Sequence, residues 1–453
     1  MKTEKINYKE IFKPTLGFML RWVLPLILVF ALWCAGVFLT FLSVFFPIPY
    51  VGRVIIILFP LFLAFWLFRN AKNEVLKLTS LLSLTLLVIL LLLILIEIGI
   101  NLGFVVFASG MFSITLFKKS RNPIFFIPFI FILLIFVILT LPSEIKQPDK
   151  MLGFWSPAAN IPLPFVFHNI IDSPSLLRSL HGNSVAIARS YLITDSGAIQ
   201  QMPLEKIFLM IRAKLLDRAG INVMLNLEIA KFSFGKPHQP IPEHLVHSDS
   251  FKEKLEKIMI DNAKLAQELG IEAYTPMIEA ELILGINESS EFMDKVAEKI
   301  KKVYSGKLVW WGAFKGDTEP AANMINFSSY DIICFTYSPY LEDLGLSREE
   351  QRERIEKTFE FMANISNKWN KSLMICELAL GERGKENITY VEFFLDSVFA
   401  EASERIDGIF IFDFVDFPIL NYFVKGNVAN IAKTPIIERV KEKFEKFGST
   451  KDI

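Results

Sequence analysis

Residues 221–270 read INVMLNLEIAKFSFGKPHQPIPEHLVHSDSFKEKLEKIMIDNAKLAQELG. The first nine, 221–229, are dominated by apolar and β-branched residues and read as a buried strand. From Ser250 the period changes: Leu255, Ile258, Ile260, Leu265 and Leu269 line one side of a helix, Lys and Glu the other, and Gly270 ends it. The same pair recurs along the second part of the chain. Strand-like runs at 184–192, 221–229, 272–278, 307–314, 330–337, 372–377 and 408–414 alternate with helical patterns near 204–218, 250–269, 290–304, 348–369, 390–405 and 434–446. Seven strand-like runs interleaved with six helical patterns call for a parallel sheet covered by helices. Their number suggests a (β/α)8 TIM barrel more than an open doubly wound sheet. The missing first strand falls within 151–180, with FVFHNI (165–170) preferred over MLGFW (151–155). No glycine-rich phosphate loop follows any strand, which argues against a dinucleotide-binding sheet.

Upstream the chain changes character. Of 453 residues, 52% are hydrophobic, and 48 basic side chains balance 48 acidic ones. Twelve Lys/Arg and four Asp/Glu lie in residues 1–143, leaving 36 and 44 in 144–453. Zero net charge excludes a polyanion-binding protein driven by global charge, so no nucleic-acid partner is expected. Apolar runs near 18–45, 51–68, 78–100, 102–117 and 124–141 read as five transmembrane helices, an all-α bundle over 1–143 in contact with the lipid bilayer. Lys2, Lys5, Lys9 and Lys13, then Arg69, Lys72 and Lys77, then Lys118, Lys119 and Arg121 cluster on one side of those spans. That bias predicts a multi-pass cell-membrane protein with a cytoplasmic N-terminus and an extracytoplasmic domain over 144–453. Sequons at Asn287, Asn326, Asn364, Asn370 and Asn387 all fall in the exported part. Glu97 reads as a residue near the outer interface.

In a barrel of this type chemistry is built at the C-terminal ends of the strands. Those ends carry Glu228, then Glu279 and Glu281 (YTPMIEAEL, 274–282), Trp310 and Trp311, Tyr337 and Tyr340, Glu377, and Asp413 and Asp416. Carboxylates interleaved with aromatics suit a sugar site, since aromatic faces stack on pyranose rings and paired carboxyls can cleave a glycosidic bond. Adjacent Trp310 and Trp311 face opposite ways on a strand, so at most one is a sugar platform. His238, His244 and His247 match no strong metal-ligand spacing and read as a cleft wall; no metal or cofactor is expected. Cys334 and Cys376 read as small core residues without a disulfide framework.

GNSVAIARSYLITDSGAI (182–199) with GINVMLNLEI (220–229), and SLMICELALGER (372–383), resemble the second, third and seventh strands of glycoside hydrolase clan A. The likeness covers roughly residues 150–430. It implies a retaining O-glycoside hydrolase or transglycosidase on an oligo- or polysaccharide, with Glu279 as acid/base and Glu377 as nucleophile. By the same resemblance Arg189 orients a hydroxyl or the nucleophile, and Tyr337 hydrogen-bonds the nucleophile. Glu228, Glu281, Trp310 and Asp413 complete the substrate-binding set. The sequence departs from the clan in having Ile278 where Asn commonly precedes the acid/base, and Phe412 or Phe414 in place of a strand-end Trp. The alternative is an inactive barrel that binds sugar as a sensor or scaffold.

Overall fold

A computed structural model describes residues 62, 64–66, 69, 74–97, 101–120, 123–156, 174–175, 177–194, 197–201, 205–233, 236–239, 241–313, 322–337, 346–378, 388–411 and 436–449. The chain divides into two compact units: residues 1–140 with 202–207, and residues 141–201 with 208–453.

In the first unit three helices are described, α1 (Glu74–Glu97), α2 (Leu102–Ser120) and α3 (Ile127–Thr140), with a 3-10 turn at Pro123–Phe126 before the last. Asn101 starts α2, its Oδ1 accepting from the Phe104 N–H at 3.2 Å. These helices fall on three of the five apolar segments; 18–45, and 51–68 but for a few positions, lie outside the described residues, as do several α1 side chains, Glu97's included. Among the described residues no helix is long and apolar enough to cross a membrane. The expected five-span bundle is therefore not supported there; α3, at 14 residues, reaches only about 21 Å against roughly 30 Å of hydrocarbon. Large apolar side chains are nonetheless exposed on this unit, among them Phe104, Phe107, Ile130 and Leu134.

The second unit is the barrel. Its eight staves are β1 (Met151–Ser156), β2 (Ser184–Ile193), β4 (Asn222–Ser233), β6 (Ala273–Thr275), β7 (Lys307–Gly312), β8 (Ile332–Tyr337), β9 (Ser372–Leu378) and β10 (Gly408–Ile411). They pair in parallel in the order β1-β2-β4-β6-β7-β8-β9-β10, and β10 closes on β1. Two short antiparallel strands, β3 (Ile199–Gln201) and β5 (Lys236–Gln239), extend the ends of β2 and β4. The first stave is MLGFWS, not the preferred FVFHNI, which lies outside the described residues. Gly153 marks the reason that its strand signal is weak: a Cβ there would lie 1.7 Å from the Ser184 carbonyl oxygen, so only glycine allows β1 so close to β2.

Outside the staves run α4 (Glu205–Arg218), α5 (Glu243–Val246), α6 (Asp249–Leu269), α7 (Ala280–Leu284), α8 (Ile286–Ile300), α9 (Arg348–Trp369), α10 (Ile388–Arg405) and α11 (Ile436–Ser449). Local chemistry fixes their ends. The Ser248 hydroxyl accepts from the Phe251 N–H to start α6, and Gly270, at φ +70°, ends it. A reciprocal Ser347–Glu350 capping box starts α9, and Asn370 ends it in the left-handed conformation.

Strand alternation sorts the core into two layers. On β2, Val185, Ile187, Tyr191 and Ile193 join the helix-facing layer, while Ala186 and Ala188 face the lumen. Trp155, Met224, Val309, Trp311, Cys334, Met374 and Phe410 fill that lumen from the other staves, and Ile278 from the segment after β6.

Candidate active site at the barrel mouth

Glu279 follows β6 by four residues, and two backbone hydrogen bonds return its segment to the sheet. The Ile278 N–H donates to Leu227 O at 2.9 Å and the Glu279 N–H to Trp311 O at 2.8 Å. Glu279 is held at φ +50°, ψ +45°, a left-handed conformation that disfavours a side chain with a Cβ and that the two bonds impose. Its Oε1 accepts from the Thr336 hydroxyl at 2.9 Å, and Thr336 Oγ1 in turn accepts from the Trp311 indole N–H at 2.9 Å.

Glu377 reaches the same place by a different device. Strict alternation would send it toward the helices beside Ile375. Instead β9 carries a bulge: Phe335 pairs with Ile375, but Thr336 pairs with Glu377 and Tyr337 with Leu378. The other neighbour records the same irregularity, Ile409 opposite Ile375 and Ile411 opposite Leu378. The extra residue turns Glu377 to the lumen side, level with Thr336, while Leu378 stays with the helix-facing core. Thr336 therefore stands between the two glutamates, bonded to one and strand partner of the other.

Two more acidic groups complete the mouth. Glu228 lies on the lumen face of β4, and its Oε2 accepts from the hydroxyl of its strand partner Ser190 at 3.0 Å. Glu281, in the first turn of α7, is buried; its Oε1 accepts from the Ala313 N–H at 2.5 Å and its Oε2 has no hydrogen-bond partner among the described residues. Burial pushes the Glu281 carboxyl up to about 7, and the neighbouring Glu279 charge adds to the effect.

Three expected contacts point elsewhere. Arg189 has the parity of Ile187 and Tyr191, so its guanidinium lies among the helices. There it donates to Asn262 Oδ1 on α6 and, at 2.6 Å, to Gln201 Oε1, beside the Tyr191 ring. Its guanidinium does not face the lumen. Trp310 is also turned outward, packed edge-on against Phe327 and Tyr330 with ring centroids 5.6 and 5.3 Å away. The Tyr337 ring stacks on Phe394 at 5.8 Å in the helix layer. The inward residues next to these three are Ser190, Trp311 and Thr336. Trp311 meets Trp155 in an edge contact at 5.2 Å inside the barrel. Alternation counted from the large outward residues of each strand would have found them. Asp413, Asp416, Tyr340, Phe412 and Phe414 lie outside the described residues. Of the histidines, His247 is 3.7 Å from Glu288 on the rim, and the His238 side chain lies outside the described residues. Cys334 and Cys376 are buried as expected, but they are joined as a disulfide.

No protein-family profile matches the chain, and no curated protein does. Solved structures do match. The GH113 β-mannanase from Alicyclobacillus acidocaldarius in complex with ManMIm is 14% identical, over 68% of this chain and 99% of that one, with a TM-score of 0.50. What the two share is the (β/α)8 fold. An endo-β-1,4-mannanase from Thermotoga petrophila is 13% identical, over 69% and 80% of the two chains, at a TM-score of 0.48.

Proposed function

We propose that the barrel is a retaining glycoside hydrolase or transglycosidase acting on an oligo- or polysaccharide, with Glu377 as nucleophile and Glu279 as acid/base. The observation that supports this reading is the position of Thr336, which donates to Glu279 and is the strand partner of Glu377 at the C-terminal end of β8. Glu377 would attack the anomeric carbon and form a glycosyl ester, while Glu279 gives its proton to the departing glycosidic oxygen. Glu279 would then take a proton from water, whose oxygen attacks the same carbon and frees Glu377. The mannanases that share the fold put β-1,4-mannan first among the polymers to test.

The first unit would hold the enzyme at a membrane, with residues 144–453 outside the cytoplasm. The exposed Phe104, Phe107, Ile130 and Leu134, the flanking lysines and a disulfide in the barrel support that placement. A second reading, an inactive sugar-binding barrel, is favoured by one observation. Ile278, buried in the lumen, replaces the amide that would hold a sugar hydroxyl.

The full-length chain, assayed on β-1,4-mannan and a panel of aryl β-glycosides, decides between these. Hydrolysis with retained anomeric configuration is expected, reduced by about 10²–10⁴-fold in Glu279→Ala and at least as much in Glu377→Ala. Activity that survives Glu377→Ala overturns the assignment of the nucleophile. An inert parent that still binds the glycans establishes the sensor reading. Protease protection in sealed vesicles tests the orientation; a barrel shielded on the cytoplasmic side reverses it.

A further inference from the structure

Cys376 immediately precedes Glu377, and its disulfide partner Cys334 lies on the neighbouring strand β8. The strand partner of Cys334 is Met374, two residues before Cys376. In an undistorted parallel pair, about 4.8 Å between strands and 6.6 Å along two residues would set the Cα atoms of Cys334 and Cys376 roughly 8 Å apart. A disulfide cannot span that, since its Cα atoms need to lie within about 7 Å. The observed separation is 5.6 Å. The difference is supplied by the bulge: β9 takes one extra residue between Ile375 and Leu378, which draws Cys376 back toward Cys334 and turns Glu377 inward against Thr336. The same residue therefore closes the crosslink and sets the direction of the next side chain. Cys334 and Cys376 are both fully buried in the lumen core, with Trp311 and Phe410 in the same cluster.

We propose that the Cys334–Cys376 disulfide is a latch that holds the β9 bulge and so presents Glu377 to the barrel mouth. Cys376 is thus a positioning residue for Glu377, and its effect on turnover, though not on geometry, rests on the function proposed above. A barrel with this latch would mature only where thiols are oxidised, and loss of the crosslink would let β9 return to regular alternation, carrying Glu377 toward the helices.

Three measurements on the full-length chain test the latch. Purified without reductant, denatured and alkylated, the parent is expected to expose one thiol of its three cysteines, Cys34, and all three after reduction. Structure determination of the Cys334→Ala/Cys376→Ala variant is expected to show Thr336 no longer opposite Glu377. Turnover of that variant is expected to fall at least tenfold in kcat with KM within about twofold, whereas loss of a merely stabilising crosslink would lower Tm and leave kcat unchanged at a temperature where the variant is folded. Free Cys334 and Cys376 thiols in the parent, or a variant that keeps both the bulge and kcat, overturn the proposal. If the parent is inert on every glycan, the enzymatic reading fails, and the thiol count and the β9 register still decide the latch.

Discussion

The Thr336 hydroxyl donates to Glu279 Oε1 at 2.9 Å, and it does so from the position on β8 that is opposite Glu377. Its oxygen is also the acceptor of the Trp311 N–H, so both hydrogen-bonding roles of one hydroxyl are in use and the carboxylate is aimed by a fixed donor. Thr336→Val keeps the shape and removes both bonds. Removing one partner of a buried bond costs about 1–3 kcal/mol, so kcat/KM on the best glycan is expected to fall by roughly tenfold or more. Thr336→Ser, which restores the hydroxyl, should recover most of it. Equal rates for the parent and the Val variant would remove Thr336 from the site.

Arg189 acts on stability. Its bonds to Asn262 and Gln201 tie β2 to α6 and β3 in the layer between sheet and helices. Arg189→Met is expected to lower unfolding free energy by about 1–3 kcal/mol while KM stays within twofold. The measurement is denaturant unfolding beside steady-state kinetics; a raised KM with unchanged stability would return Arg189 to the substrate.

Seven of the staves and the long covering helices are legible because each carries its own signal: apolar runs, a change of period, and caps such as Ser248, Gly270 and Ser347. Which way a side chain faces depends on parity, and parity was readable only in part. Small Ala186 and Ala188 alternate with large Val185 and Ile187, which suffices to send Arg189 outward. The same rule fails for Glu377, because a bulge interrupts the count and the crosslink that accompanies it joins residues 42 apart in sequence. The first strand is the less favoured of the two sequence candidates because Gly153 answers to its neighbour's backbone and not to strand propensity.

The two adjacent tryptophans separate function from packing. Trp310 is buried against Phe327 and Tyr330, so Trp310→Leu is expected to lose about 2–4 kcal/mol of stability with little change in kcat at a temperature where it remains folded. Trp311→Leu removes the donor to Thr336 and the ring that meets Trp155, and is expected to lower kcat at least tenfold. Thermal unfolding and kinetics of both variants check the pair; the reverse pattern would place the sugar on the other face of β7.

Glu281 predicts a pH dependence with a definite sign. Burial raises its carboxyl from the ordinary 4.5 to about 7, and burial raises Glu272, whose Oε2 accepts from the Val223 N–H at 2.7 Å, to the same value. A carboxyl raised in the folded state holds its proton where the unfolded chain has released it. Its contribution to stability is thus complete below pH 4.5 and is lost as pH rises to about 7, on the order of 3 kcal/mol per group. Glu281→Gln keeps an oxygen for the Ala313 N–H and cannot ionise. Unfolding free energies measured between pH 4.5 and 7.5 are therefore expected to fall less steeply in the variant, the remaining slope coming from Glu272 and other titrating groups. Identical slopes in the two proteins would mean that Glu281 is ionised throughout this range and that the fold neutralises its buried charge by other means.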